Sequence, residues 1–536
     1  MGLALMLISL TSCHQIESRK VLVTSAQGDL LAEQENIIFK KQQATGLLVS
    51  VDPSDKRQTI DGIGSSLTES SAYVLASLSP EKRQEVLQEL FGQGGANFAI
   101  TRTHMGSCDF SVEGKYSYAE IPGDTLLEHF SLERDMEGFP REKYPLIKDQ
   151  GYDLLPLIRE VHDIKEEQED NEFRIVASPW TAPDWMKDNQ AYFLPGNGGS
   201  LKKEYYGVFA NYFIRYFEAM KKEGIPIWGV TPVNEPEGNN GAWESMHFSP
   251  EEEAEFIGTY LGLAIEESNF NHVKIFAFDQ NRPELPHWAE GIYANPEAKK
   301  YTTGMAIHWY ASTFLVFEEI LDSIQRAYPG HSILHTEGCI DNLGVAAGDW
   351  AYDPEGWEEE GWFGNETWWW EKNASDWGYE VPWGNELHAL YVPVHRYARN
   401  IIVSLNNWTT GFIDWNVVLD KDGGPNHVGN FCGAPVMIDM ENQEVYCTPV
   451  YQILKHFSRT IRPGDTALKA TSVEGVMKDS LYVGATLNQQ GEVVISMLNV
   501  TQQPINYSLQ LGSYSAELEA PANALKTVIV PLPLKD

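Results

Sequence analysis

Short apolar runs alternate with longer amphipathic segments through most of the chain. Between residues 59 and 415 the runs predict strands at 59–66, 98–105, 173–180, 225–233, 273–279, 304–310, 333–337 and 411–415. Helix-period segments predict helices between them, at 71–91, 204–223, 250–269, 314–328 and 387–406. Ser79-Pro80-Glu81 is a helix-start signal inside the first of these, so that segment is expected as two helices. Eight strands in alternation with helices predict a parallel (β/α)8 TIM barrel. The flanks read differently. Residues 21–59 and 466–533, including runs at 473–476, 481–487, 493–499 and 525–530, show the alternation of antiparallel strands, and neither flank is large enough to cover its own edges. The expected organisation is therefore a side β-sandwich from 21–58 plus 462–536 and a barrel over 59–461.

Two of the barrel runs end in a carboxylate. The run from Ile225 stops at Asn234-Glu235-Pro236, where Pro236 cannot extend a strand. The run from Ser332 stops at Thr336-Glu337-Gly338, 102 residues after Glu235. The C-terminal rim of a parallel barrel is where such residues meet a substrate. Two carboxylates flanking one sugar bond are the minimal equipment for glycoside hydrolysis. Glu235 is read as general acid/base, with Asn234 holding substrate beside it.

Composition narrows the partner. The 536 residues carry 39 Lys+Arg against 76 Asp+Glu, a net charge of −37, which argues against nucleic acid and anionic membrane surfaces as ligands. A β-linked neutral glycoside or oligosaccharide suits this charge. The 16 Trp include eight between residues 350 and 383, inside an acidic stretch at 342–384 that follows the Glu337 run. That stretch reads as an insertion overhanging the site, either a sugar-binding wall or a loop whose indoles pack inward. An apolar run at 2–10 precedes Leu10-Thr11-Ser12-Cys13. Residues 1–20 therefore read as a lipoprotein-type signal and tether, with Cys13 lipidated and the protein exported to a bacterial cell envelope. The signal lacks the usual preceding Lys or Arg. A lipid anchor is the only membrane association expected. The other four Cys have no zinc-type spacing, and a Cys432–Cys447 pairing stays open.

Several motifs in order carry a family resemblance. They are Arg102, Ser107-Cys108-Asp109-Phe110-Ser111, Ala177-Ser178-Pro179-Trp180-Thr181, Asn234-Glu235-Pro236, His308-Trp309-Tyr310, Thr336-Glu337-Gly338-Cys339, and Asp414-Trp415-Asn416 through Gly423-Gly424-Pro425-Asn426. Together they resemble glycoside hydrolase family 30, within its glucosylceramidase and β-1,6-glucanase group. The resemblance implies a barrel with a side sandwich, retaining chemistry, and neither metal nor other cofactor. It implies Glu235 as acid/base, Glu337 as nucleophile and Asn234 on the sugar 2-OH. Asp109, Trp180 and Trp415 would line the glycone pocket, and Arg102, Tyr310 and Asn430 would surround the carboxylates. Two departures leave the aglycone side open: the long Trp-rich insertion, and His427 where the lysosomal enzymes carry an aromatic. The expected activity is hydrolysis of β-glucosidic bonds. A β-xylosidase or β-fucosidase on this scaffold, and a glycan-binding lipoprotein without turnover, are the competing readings.

Overall fold

The computed structural model describes residues 15–239, 241–341, 363–371, 391–472 and 479–532. Two compact units result: Met1–Arg57 with Thr466–Asp536, and Gln58–Asp465. Cys13, most of the Trp-rich insertion and the strand expected at 473–476 lie outside the described residues.

The larger unit contains a closed barrel of eight parallel strands. We number them β1 Gly62–Ser65, β2 Ile100–His104, β3 Arg174–Ser178, β4 Gly229–Val230, β5 Lys274–Asn281, β6 Thr302–His308, β7 Ser332–Glu337 and β8 Thr409–Asp414. Each pairs with the next in sequence, and β8 closes on β1 through Gly411↔Gly62 and Asp414↔Ser65. The centre is packed by one side chain from each of six strands: Ile100, Val176, Phe276, Ala306, Leu334 and Ile413. Barrel strands buried on both faces need such apolar residues.

Element boundaries follow local chemistry. The helix expected over 71–91 is two, Glu69–Ala76 and Pro80–Phe91, capped by the side chains of Thr68 and Ser79. The strand expected over 225–233 shrinks to Gly229–Val230, because Pro226 and Pro232 bracket it and offer no N–H. The chain beyond it still bridges its neighbours: Asn234 N–H donates to Pro179 O at 2.7 Å and Glu235 N–H to Asp279 O at 3.1 Å. Strand β5 carries a bulge between Phe278 and Gln280, with Phe278 and Asp279 both in the left-handed region at φ 79° and 59°.

The smaller unit is a single 11-stranded sheet curled around its own core, built from both ends of the chain. Lys20–Ser25 runs antiparallel to Ala524–Pro531, and Leu48–Thr59 runs parallel to Ile505–Leu511. Val21, Val49, Leu468, Ile495, Leu509 and Val528 are among its buried residues.

Candidate active site

Strand β7 delivers Glu337 at its last position, and the turn after β4 delivers Glu235. Both carboxylates are buried, at 6% and 8% exposure. One oxygen of each lies within 4.8 Å of the other. Glu235 has φ 50°, a left-handed backbone that a non-glycine residue adopts at a cost. The conformation is held by its own N–H on Asp279 O and by Gly238 N–H on its carbonyl at 2.7 Å. Gly338, just past Glu337, touches the Trp309 ring: a Cβ there would fall 2.6 Å from the indole.

Arg102, fully buried on β2, organises the floor. It donates to Glu337 Oε2 at 2.5 Å, Asp279 Oδ2 at 2.6 Å, Asn234 Oδ1 at 2.7 Å and Ser178 Oγ at 3.1 Å. The Tyr310 hydroxyl donates to the other Glu337 oxygen at 3.0 Å. Asp279, turned inward by the β5 bulge, also accepts from the hydroxyls of Thr231 at 2.7 Å and Thr336 at 2.6 Å. His308 lies between Asp279 Oδ1 at 3.1 Å and Glu235 Oε1 at 3.3 Å.

These contacts set the charges. Burial opposes ionisation of Asp279, but Arg102 and His308 hold it well below the usual carboxylate range. Burial likewise opposes a charge on His308; the Glu337 carboxylate and the bonds to Asp279 and Glu235 outweigh it and raise the ring to about 9. Burial pushes Glu337 above its ordinary value, against the pull of His308 and Arg102 and with the repulsion of Glu235 and Asp279. Glu235, His308 and Glu337 sit close enough together for a metal site. Both His308 ring nitrogens already face carboxylates, those of Asp279 and Glu235.

The cavity above this floor is lined by Asp109, Trp180, Asn234, Glu235, Trp243, Tyr310, Glu337, Cys339, Trp415, Asn430 and Cys432. Trp180 and Trp415 stack on each other with centroids 5.1 Å apart, and Arg102 lies over both rings. Asn430 lines the same cavity and donates to Asp109 Oδ2 at 3.0 Å. Burial, then the negative charge of Glu337, raises Asp109 to about 8, which favours its protonated form. Every residue expected at the site except Cys13 therefore borders one cavity or its floor. Asp279 and Trp243 were not expected there. In the described part of the Trp-rich insertion, Trp368, Trp369 and Trp370 are buried. Cys432 and Cys447 are not bridged to one another.

Two carboxylates converging over an arginine-braced floor, at the rim of a parallel barrel with indoles in the cavity wall, define a glycoside hydrolase. The chain belongs to glycosyl hydrolase family 30, whose TIM-barrel domain model matches residues 60–353 and 382–461. It is 30% identical over 476 residues to the lysosomal acid glucosylceramidase of Mus musculus, covering 87% of this chain and 80% of that one. It is 24% identical over 431 residues to an endo-1,6-β-D-glucanase of Neurospora crassa, covering 79% and 75%. Among solved structures, an endo-β1,6-glucanase superposes with a TM-score of 0.73 at 24% identity, covering 97% of this chain and all of that one.

Proposed function

We propose that the enzyme is a retaining β-glucosidase in which Glu337 is the nucleophile and Glu235 the acid/base. The observation that carries this reading is the short carboxylate separation, with oxygens within 4.8 Å. Retaining enzymes hold the two groups about 5–5.5 Å apart, whereas inverting ones need about 6.5–9.5 Å to admit a water. The polar environment divides the roles. Glu337 accepts from Arg102 and Tyr310, one donor on each oxygen, which favours the ionised form. Its oxygen attacks the anomeric carbon while Glu235 protonates the departing oxygen. The glycosyl ester so formed on Glu337 is then cleaved by water, which gives its proton to Glu235. Asn234, its Oδ1 engaged by Arg102, presents its amide N–H groups to the sugar 2-OH.

Glucose is the proposed glycone because relatives named as a glucosylceramidase and an endo-1,6-β-D-glucanase both act on β-glucosides. The half-buried Trp243 and polar Asn430 also line the cavity, a wall that suits a sugar ring. A 2-deoxy-2-fluoro-β-glucoside with an activated leaving group tests the assignment: mass spectrometry should find the adduct on the Glu337 peptide. No adduct there, or an inverted first product by NMR, overturns it. Hydrolysis of aryl β-xyloside but not β-glucoside would replace the glycone. Lipidation at Cys13 belongs to the same reading, and palmitate labelling that survives Cys13→Ala would refute it.

A further inference from the structure

Glu244 is fully buried, on the loop that follows Glu235. Its Oε1 accepts the Lys115 N–H at 2.7 Å, and its Oε2 lies 3.1 Å from His427 Nε2. The latter contact is a close ionic approach, not an aligned hydrogen bond, since neither atom finds a partner of good geometry. His427 in turn shares its Nδ1 with Ser111 O at 3.0 Å. One carboxylate therefore touches three loops: its own, the 107–118 loop and the 423–430 loop. Each of these loops contributes a wall residue of the cavity, namely Trp243, Asp109 and Asn430. The 423–430 loop is stiff enough to transmit the tie. Asn426 Oδ1 accepts the N–H groups of Val428 and Asn430 at 2.9 and 3.2 Å, and its Nδ2 donates to Asn430 O at 3.1 Å. His427 at one end of this turn and Asn430 at the other both hold the 107–118 loop, the latter through Asp109.

We infer that His427 and Glu244 are positioning residues: their ion pair fixes Asp109, Asn430 and Trp243 as one rigid wall, so that sugar is bound by a preformed cavity. The inference rests on the proposed glycosidase reading for its kinetic consequence but not for its structural one. Other charged or titratable groups packed around His427 are few. Asp109 reaches it from the 107–118 loop. The Lys115 ammonium lies 4.9 Å over Phe193, which in turn packs against the imidazole. Burial disfavours the His427 charge, but Glu244 more than offsets it and raises the ring above its usual range. The tie therefore weakens as pH rises through the raised histidine value.

The test compares the full chain with Glu244→Gln, His427→Gln and the double variant. Hydrogen–deuterium exchange of peptides over 107–118, 238–247 and 423–430 is read first, since it needs no turnover. All three should gain exchange together in each single variant. Gain confined to the substituted loop overturns the inference, whatever the substrate proves to be. With an aryl β-glucoside, KM should rise about tenfold with kcat within about twofold, as for groups that organise binding. The double variant should be no worse than the weaker single one, because no unpaired buried charge remains. KM of the parent should rise with pH above the ordinary histidine range, and this rise should vanish in His427→Gln. Equal losses in kcat, or additive effects in the double variant, refute the tie.

Discussion

Asp279→Asn is the sharpest probe of the floor. The parent carboxylate accepts four bonds: Arg102 and Thr231 on Oδ2, His308 and Thr336 on Oδ1, at 2.6–3.1 Å. An amide keeps one acceptor oxygen and turns an NH2 toward two donors on the other side. Either Arg102 and Thr231 or His308 and Thr336 then lose their acceptor at a fully buried position. Removing one partner of a buried ion pair costs about 3–5 kcal/mol of stability. Arg102, released from Asp279, no longer fixes Glu337, and losing a preorganised charge contact of this kind lowers kcat about 10²–10³-fold. Because Asp279 is held low, the sign is defined. Its stabilisation is complete above the unfolded value near 4 and fades only as pH falls through the folded one. Urea denaturation at pH 7 and pH 3, with steady-state turnover of an aryl β-glucoside, checks both arms. A variant within about 1 kcal/mol and threefold in kcat of the parent would show that the bulge and its aspartate do not organise the site.

Glu235→Ala should lower kcat/KM about 10²–10⁴-fold for an unactivated glycoside and much less for a nitrophenyl one, with azide yielding a β-glycosyl azide by NMR. Since burial holds Glu337 above its ordinary value, the acid limb of kcat/KM should fall at a higher pH than about 4.3, the value of a free glutamate; a limb at or below that value contradicts the charge assignment. His308 is raised to about 9, so its stabilisation is full below about 6.5 and is lost as pH rises toward 9. Unfolding free energy should decline over that window in the parent, and the decline should be absent in His308→Gln.

Much of the barrel was legible because its apolar runs end abruptly. The Asn234-Glu235-Pro236 and Thr336-Glu337-Gly338 stops marked the rim, and the spacing of the runs supplied all eight strands. Boundaries were less legible: Pro226 and Pro232 shortened β4 to two residues, an effect visible in the letters but masked by the apolar count. Asp279 was missed for a physical reason. Phe276-Ala277-Phe278-Asp279 reads as a strand running out to solvent, and only the bulge, with two left-handed residues, turns the carboxylate inward. Trp243 was missed because the loop after Glu235 carries no periodic pattern. Asn430 borders the expected cavity, but its bond to Asp109 could not be read from spacing, which does not say which side chain a turn will face.

The curled sheet has a consequence for synthesis. Lys20 pairs with Ile529 and Ser25 with Ala524, so this early strand waits for the last stretch to leave the ribosome. At about 5–20 residues per second that wait is roughly 25–100 s. During it the edge of the Val-Leu-Val segment that faces Ala524–Pro531 stands unpaired, while its other edge can pair locally with Ala32–Glu33. A nascent chain of this protein should therefore be most vulnerable to capture and aggregation at its beginning, long after its central domain has had time to close.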